Sequence, residues 1–76
     1  MKTVQISLNS IDKVKSFVND ITRFDYDFDL VSGRYVIDAK SIMGIFSLDL
    51  SKPIDLNIQA EDNVDEVLDV LKPYII

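Results

Sequence analysis

Chemistry in this chain would have to come from hydroxyl, carboxylate and amine side chains, because its 76 residues include no histidine and no cysteine. Without histidine the chain lacks the most common general base, the most common metal ligand and the acceptor of phosphohistidine chemistry. Without cysteine it lacks a thiolate nucleophile, a thiolate metal site and disulfides. The serines have no histidine to activate them, so the sequence predicts a protein that is not an enzyme and holds no cofactor.

Three alternating aspartates, Asp25, Asp27 and Asp29, are the most obvious candidate for a metal site. A calcium loop starting at Asp25 would need glycine at its sixth position and glutamate at its twelfth, where this chain has Leu30 and Val36. On a strand, neighbouring residues of one face lie about 6.6 Å apart, which is too far for three carboxylates to converge on one ion. The pattern therefore predicts a solvated strand face and no metal site.

The charge balance and the hydropathy exclude further classes of partner. Eight Lys and Arg against thirteen Asp and Glu give a net charge of −5, whereas nucleic-acid binding needs a basic surface. No apolar run approaches the roughly 18 residues of a membrane span, and the N-terminus lacks the apolar stretch of a signal peptide. We therefore expect one cytoplasmic domain over residues 1–76, with no nucleic acid and no membrane as partner.

Hydrophobic periodicity predicts seven elements in the order βαββαβα. Three of the four strands are apolar on one face only, which is typical of a mainly antiparallel sheet with one covered face. The expected fold is an α+β open-faced sandwich, with three helices on one face of a four-stranded sheet. Asn63 and Glu66 have the spacing of a capping box. The predicted strands cover 3–8, 25–31, 34–38 and 54–60, and the predicted helices cover about 10–24, a short segment after Ser41, and a segment from Asn63 to Pro73.

The segment after Ser41 carries more apolar side chains than a short helix can bury. Six of the nine residues in 42–50 are apolar and surround most of the helix, so some of Ile42, Met43 and Phe46 are expected to be exposed as a patch that binds a protein. The alternative is that they close the edge of the core. Ser41 has the position of a helix N-cap, and a phosphate there would add a charge of roughly −2 beside Lys40.

This segment resembles the regulatory-serine motif of the HPr family, the phosphocarriers of the bacterial sugar phosphotransferase system. The element order βαββαβα is also that of the family. The resemblance implies that an ATP-dependent HPr kinase phosphorylates Ser41, and that a patch after it contacts this kinase and a catabolite-control transcription regulator. The matching residues are Lys40-Ser41-Ile42-Met43-Gly44 and Ser47-Leu48, and the implied patch consists of Lys40, Ile42, Met43 and Phe46.

The chain departs from the HPr family where the carrier histidine should stand, just after the first strand. Asn9, Ser10 and Asp12 occupy this loop, which has no histidine, arginine or proline. The resemblance therefore implies a regulatory protein without phosphocarrier activity, acting in catabolite repression through Ser41. The alternative is a diverged domain of the same fold that binds another protein through the acidic face around Asp27 and Asp29, with Ser41 only a structural cap.

Overall fold

The computed structural model describes residues 2–76 and contains the seven predicted elements in the predicted order. Periodicity placed most element ends to within two residues, and the main differences are explained below. The elements are β1 (Lys2–Ile6), α1 (Ile11–Ile21), β2 (Asp27–Ser32), β3 (Tyr35–Asp38), α2 (Ile42–Phe46), β4 (Ile54–Gln59) and α3 (Val64–Leu71).

The four strands form one sheet in the order β1-β4-β2-β3, and all three pairings are antiparallel. In this register Leu30 lies opposite Leu56 and Phe28 opposite Ile58, so the apolar residues of neighbouring strands share a face. These four side chains are fully buried. The predicted α+β open-faced sandwich is thereby confirmed.

Each helix contributes to a single buried cluster on the covered face of the sheet. Phe17 of α1, Ile45 of α2 and Leu71 of α3 are fully buried there. The longest described helix, α1, has 11 residues, and in the described part of the chain no helix has the length and apolar character needed to cross a membrane. Burial of one apolar stripe per helix is the main stabilising contribution expected for helices this short.

Strand β1 ends two residues earlier than the alternation predicts. The register that pairs Ile6 with Ile54 would next pair Ser7 with Pro53, which has no amide proton to donate. The Ser7 amide instead donates to the Tyr74 carbonyl at 2.9 Å, and Ile75 forms a bridge with Ile6. The C-terminal segment therefore covers part of the outer edge of β1, which periodicity did not predict.

Tyr74 anchors this C-terminal segment to α1. Its ring packs edge-on against Phe17, with centroids 5.6 Å apart, and its hydroxyl donates to Asp20 Oδ2 at 2.7 Å. Burial, reinforced by the Asp20 carboxylate, raises the pKa of Tyr74 to about 12. The neutral phenol is therefore the form that the fold stabilises.

The prediction that Asp25 belongs to a strand is wrong, because β2 begins at Asp27. Asp27 pairs with Gln59, the last residue of β4, so Asp25 would need a partner at Glu61, where the chain has left the sheet. The predicted first helix is also too long. It ends at Ile21 because the Phe24 amide bonds to the Ile21 carbonyl in a tighter turn.

The predicted capping box at Asn63 is wrong as well. Asn63 has a left-handed backbone (φ 58°, ψ 25°), and its side chain makes no cap hydrogen bond to α3. A capping side chain reaches the helix amides from an extended backbone, which Asn63 does not have. The side-chain Nδ2 of Asn63 instead donates to the Tyr26 hydroxyl at 3.3 Å.

Candidate functional site

Ser41 lies in the tight connection between β3 and α2, and backbone contacts determine its position. Its amide donates to the Asp38 carbonyl at 3.0 Å, and the Lys40 amide donates to Asp38 Oδ1 at 2.9 Å. Ser41 itself is extended (φ −92°, ψ 100°), so Oγ can accept from the Gly44 amide at 3.2 Å. Ser41 is exposed, and its hydroxyl is the N-cap of α2.

Gly44 permits the close approach of the Ser41 hydroxyl to α2. A Cβ atom on Gly44 would lie 3.2 Å from Ser41 Oγ and 3.4 Å from Ile37 Cδ1. The distance to Oγ is too short to be kept unchanged, whereas the distance to Ile37 is a contact distance, so an alanine would press on the capping hydroxyl. Helix periodicity did not reveal this contact. The feature of the sequence that could have indicated it is a glycine three residues after a capping serine.

The apolar side chains after Ser41 divide between the surface and the core. Met43 is 79% exposed and Phe46 is 41% exposed, whereas Ile45 is fully buried. Ile42 is half-buried and packs against the core. The structure thus places Met43 and Phe46 on the surface one turn apart, and gives Ile42 a mainly structural environment.

Lys40 does not extend into solvent beside Ser41. Its ammonium donates to the Phe24 carbonyl at 2.8 Å in a partly buried hydrogen bond. The same Nζ atom lies 5.7 Å from the centroid of the Phe28 ring, within the range of a cation–π contact. The ammonium group of Lys40 therefore interacts with the Phe24 carbonyl and the Phe28 ring of its own chain.

The loop that corresponds to the carrier site is the start of α1. Ser10 is extended (φ −148°, ψ 157°), and its Oγ accepts from the Lys13 amide at 3.1 Å, so it is the N-cap. Asn9 and Asp12 are exposed, and Asp12 lies in the first turn, where a negative charge is favourable. This arrangement caps the helix and satisfies one of its first amides.

The uncovered face of the sheet carries the aspartates of β2. Asp27 lies opposite Gln59, and Asp29 lies directly opposite Asp38 of β3. Across residues 2–76 no group of three or more carboxylates is arranged so that it could hold a metal ion. Two like charges directly opposite each other are in general unfavourable in a sheet. Here each carboxylate also has a donor, since Asp29 Oδ2 accepts from Gln59 Nε2 at 3.4 Å and Asp38 Oδ1 accepts from the Lys40 amide at 2.9 Å.

Comparison with known proteins gives a family match over most of the chain. The model "PTS HPr component phosphorylation site" matches residues 13–75. Because that match begins at residue 13, it does not include Asn9, Ser10 and Asp12. No curated protein sequence matches the chain at a significant level.

Solved structures similar to this chain include two HPr proteins and Crh. HPr-C-His of Thermoanaerobacter tengcongensis has a TM-score of 0.78 and 26% identity, covering 96% of this chain and 89% of that one. The phosphocarrier protein HPr of Bacillus anthracis has a TM-score of 0.71 and 30% identity, with coverages of 99% and 94%. Crh, the Bacillus subtilis catabolite repression containing protein, has a TM-score of 0.63 and 31% identity, with coverages of 87% and 76%. The fold, the extent of the family match and these neighbours show that the chain belongs to the HPr family, whose members are phosphocarriers rather than enzymes.

Proposed function

We propose that this protein is a regulatory member of the HPr family that carries no phosphate on histidine and acts through Ser41. The observation that carries the proposal is the exposed Ser41 hydroxyl at the start of α2, next to the exposed side chains of Met43 and Phe46. The absence of histidine from the sequence leaves the serine as the family's remaining phosphoacceptor.

A phosphate on Ser41 would change this surface without disturbing the core. It adds a charge of about −1.5 to −2 and three acceptor oxygens at the edge of the apolar patch. The Gly44 amide, which already donates to Ser41 Oγ, remains a donor for those oxygens. A partner that recognises the phosphate together with Met43 and Phe46 would bind the modified form selectively. The proposed partners are an HPr kinase and a catabolite-control transcription regulator, and the similarity to Crh, a catabolite repression containing protein, supports a role of this kind.

Incubation with an HPr kinase and ATP tests the proposed acceptor. Wild type is expected to take up one phosphate, and Ser41→Ala none. Ser41→Asn keeps a capping side chain but has no hydroxyl, and it should also take up none. Ser10→Ala is the matched control, because Ser10 caps α1 with the same bond to the third following amide while Ser41 stays intact. If wild type takes up no phosphate, or if Ser41→Ala takes up as much as wild type, Ser41 is not the acceptor.

Phosphocarrier activity is a separate test of the same proposal. We expect no transfer from phosphoenolpyruvate through the first enzyme of the phosphotransferase system, because the α1 start presents Ser10, Asn9 and Asp12 in place of a histidine. A serine phosphate is a poor donor for onward transfer, and Asp12 repels an incoming phosphate. Transfer at the rate of a histidine-containing HPr would contradict the proposed loss of the carrier role.

The second candidate function is binding of another protein through the acidic sheet face, with Ser41 only a cap. The unfavourable pairing of Asp29 with Asp38 favours it, because a destabilising arrangement is often kept at a functional surface. A pull-down of protein partners, made with the unphosphorylated and the phosphorylated protein, separates the two candidates, because the second needs neither the phosphate nor a catabolite-control regulator. Loss of binding in Met43→Asp with binding kept in Asp27→Lys/Asp29→Lys supports the α2 surface, and the reverse result supports the acidic face.

A further inference from the structure

We infer that Lys40 positions Ser41 from inside the fold, and that it is not a residue that contacts a partner. The family resemblance alone assigns Lys40 to the contact patch, but its ammonium is bonded to the Phe24 carbonyl. The inference deepens the proposed function, because positioning matters to a kinase only if Ser41 is its acceptor. The bond from the Lys40 ammonium to the Phe24 carbonyl, here called the tether, is a property of the unmodified protein and is tested without a kinase.

Lys40 is held at both of its ends. Its backbone amide donates to Asp38 Oδ1 at 2.9 Å, which fixes the turn that follows β3. Its side-chain ammonium donates to the Phe24 carbonyl at 2.8 Å and lies 5.7 Å from the Phe28 ring centroid. A hydrogen bond from a charged donor is stronger than one between neutral groups, and partial burial shields this one from water. Lys40 is therefore more tightly constrained than a surface lysine.

The tether connects segments that are distant in the sequence. Phe24 lies in the connection between α1 and β2, whereas Lys40 immediately precedes the capping residue of α2. The cap of Ser41 consists of one side-chain bond of 3.2 Å, which is at the long end of the hydrogen-bond range. A short helix with one long cap bond has little local stability of its own, so an anchor on the preceding residue restricts the conformations that Ser41 samples.

Amide hydrogen exchange of the free protein tests the tether. Lys40→Met keeps the aliphatic stem but loses the donor, and we expect the Gly44 amide to exchange about tenfold faster, equal to ~1.4 kcal/mol of local stability. Lys40→Arg keeps a charged donor and should restore most of the protection. Lys52→Met is the control, because Lys52 is exposed. The core amide of Leu56 reports global unfolding, so the Gly44 rate is interpreted relative to it. Unchanged Gly44 exchange in Lys40→Met would refute the tether.

Steady-state phosphorylation by an HPr kinase separates positioning from contact. A misplaced acceptor lowers kcat, so Lys40→Met should lose about tenfold in kcat with KM within about twofold of wild type, and Lys40→Arg should recover kcat. An increase in KM at unchanged kcat would identify Lys40 as a contact residue and overturn the inference. If wild type is not phosphorylated at all, the proposed function fails, and the exchange experiment alone decides whether the tether exists.

Discussion

Replacing Gly44 by alanine has two effects on the free energy of unfolding, which are similar in size and opposite in sign. Alanine is the better helix former by about 0.5–1 kcal/mol, which favours the variant. The new Cβ would lie 3.2 Å from Ser41 Oγ, so this hydroxyl must move by a few tenths of an ångström. Its bond to the Gly44 amide is already 3.2 Å long, and the movement breaks a cap worth about 1 kcal/mol. We therefore expect Gly44→Ala to leave the free energy of unfolding nearly unchanged.

The same substitution should behave differently when the Ser41 hydroxyl is absent. In a Ser41→Ala background the remaining neighbours are the Ile37 methyl at 3.4 Å and Cβ of residue 41 at 3.5 Å, both at contact distance, so Gly44→Ala should stabilise by about 0.5–1 kcal/mol. The double-mutant cycle then gives a coupling energy of about 1 kcal/mol between the two positions. Urea or thermal unfolding of the four proteins measures it, because 1 kcal/mol shifts Tm by about 4–8 °C in a domain of this size.

Additive effects of the two substitutions would contradict a competition for space between them. If Gly44→Ala has the same effect in both backgrounds within about 0.3 kcal/mol, its Cβ and the Ser41 hydroxyl do not compete for space. The capped conformation of Ser41 would then not be the one held in solution. Ser10→Ala supplies the control, because it removes the cap of another helix and should be additive with Gly44→Ala.

Two further predictions concern the sheet face and the C-terminal anchor. Asp29→Asn relieves the repulsion from Asp38 directly opposite, so it should raise the free energy of unfolding by about 0.2–1 kcal/mol at low salt and by less at 1 M salt. Asp27→Asn, which removes a charge opposite Gln59, should gain less in the same denaturation assay, and an equal gain would contradict the pairing argument. Folding raises the pKa of Tyr74 from 10.0 to about 12. The contribution of this shift to the free energy of unfolding is therefore complete below pH 10 and is lost as the pH rises to 12. Tyr74→Phe should therefore lose about 1 kcal/mol at pH 7 and show a shallower decline above pH 10 in pH-dependent unfolding, whereas a decline as steep as that of wild type would contradict this role.

The alternation of apolar residues was sufficient to predict the elements and the covered face of the sheet, but not their exact ends. Leu8 shows the reason, since it continues the alternation of β1 and is fully buried although the strand ends at Ile6. The end of β1 depends on Pro53, which lies opposite the next position only once the strands are in register. Periodicity describes which side chains are buried, whereas strand ends depend on partners far away in the sequence.

At the site, the positions of groups fixed by the backbone could be predicted and those of a flexible side chain could not. The N-cap position of Ser41 was expected from local sequence, and so was the exposure of some side chains among Ile42, Met43 and Phe46, but not which of them. The direction of Lys40 did not, because its bond to Phe24 spans 16 residues and uses a backbone carbonyl that has no sequence signature. Asn63 is the opposite case. Asn63 and Glu66 are residue types that suit a capping box, but the left-handed backbone of Asn63 prevents its side chain from capping α3.

The position of β4 between β1 and β2 has a consequence for synthesis of the chain. Neither β1 nor the inner side of β2 has a neighbouring strand until β4 arrives. Among the strand pairings of residues 2–76, the β2–β3 hairpin is the one that a nascent chain can form before residue 54 emerges from the ribosome. Isolated two-stranded hairpins are at best marginally stable. We therefore expect co-translational folding of this sheet to begin only when β4 has been made, so that the segment around Ser41 waits for the sheet on which α2 packs.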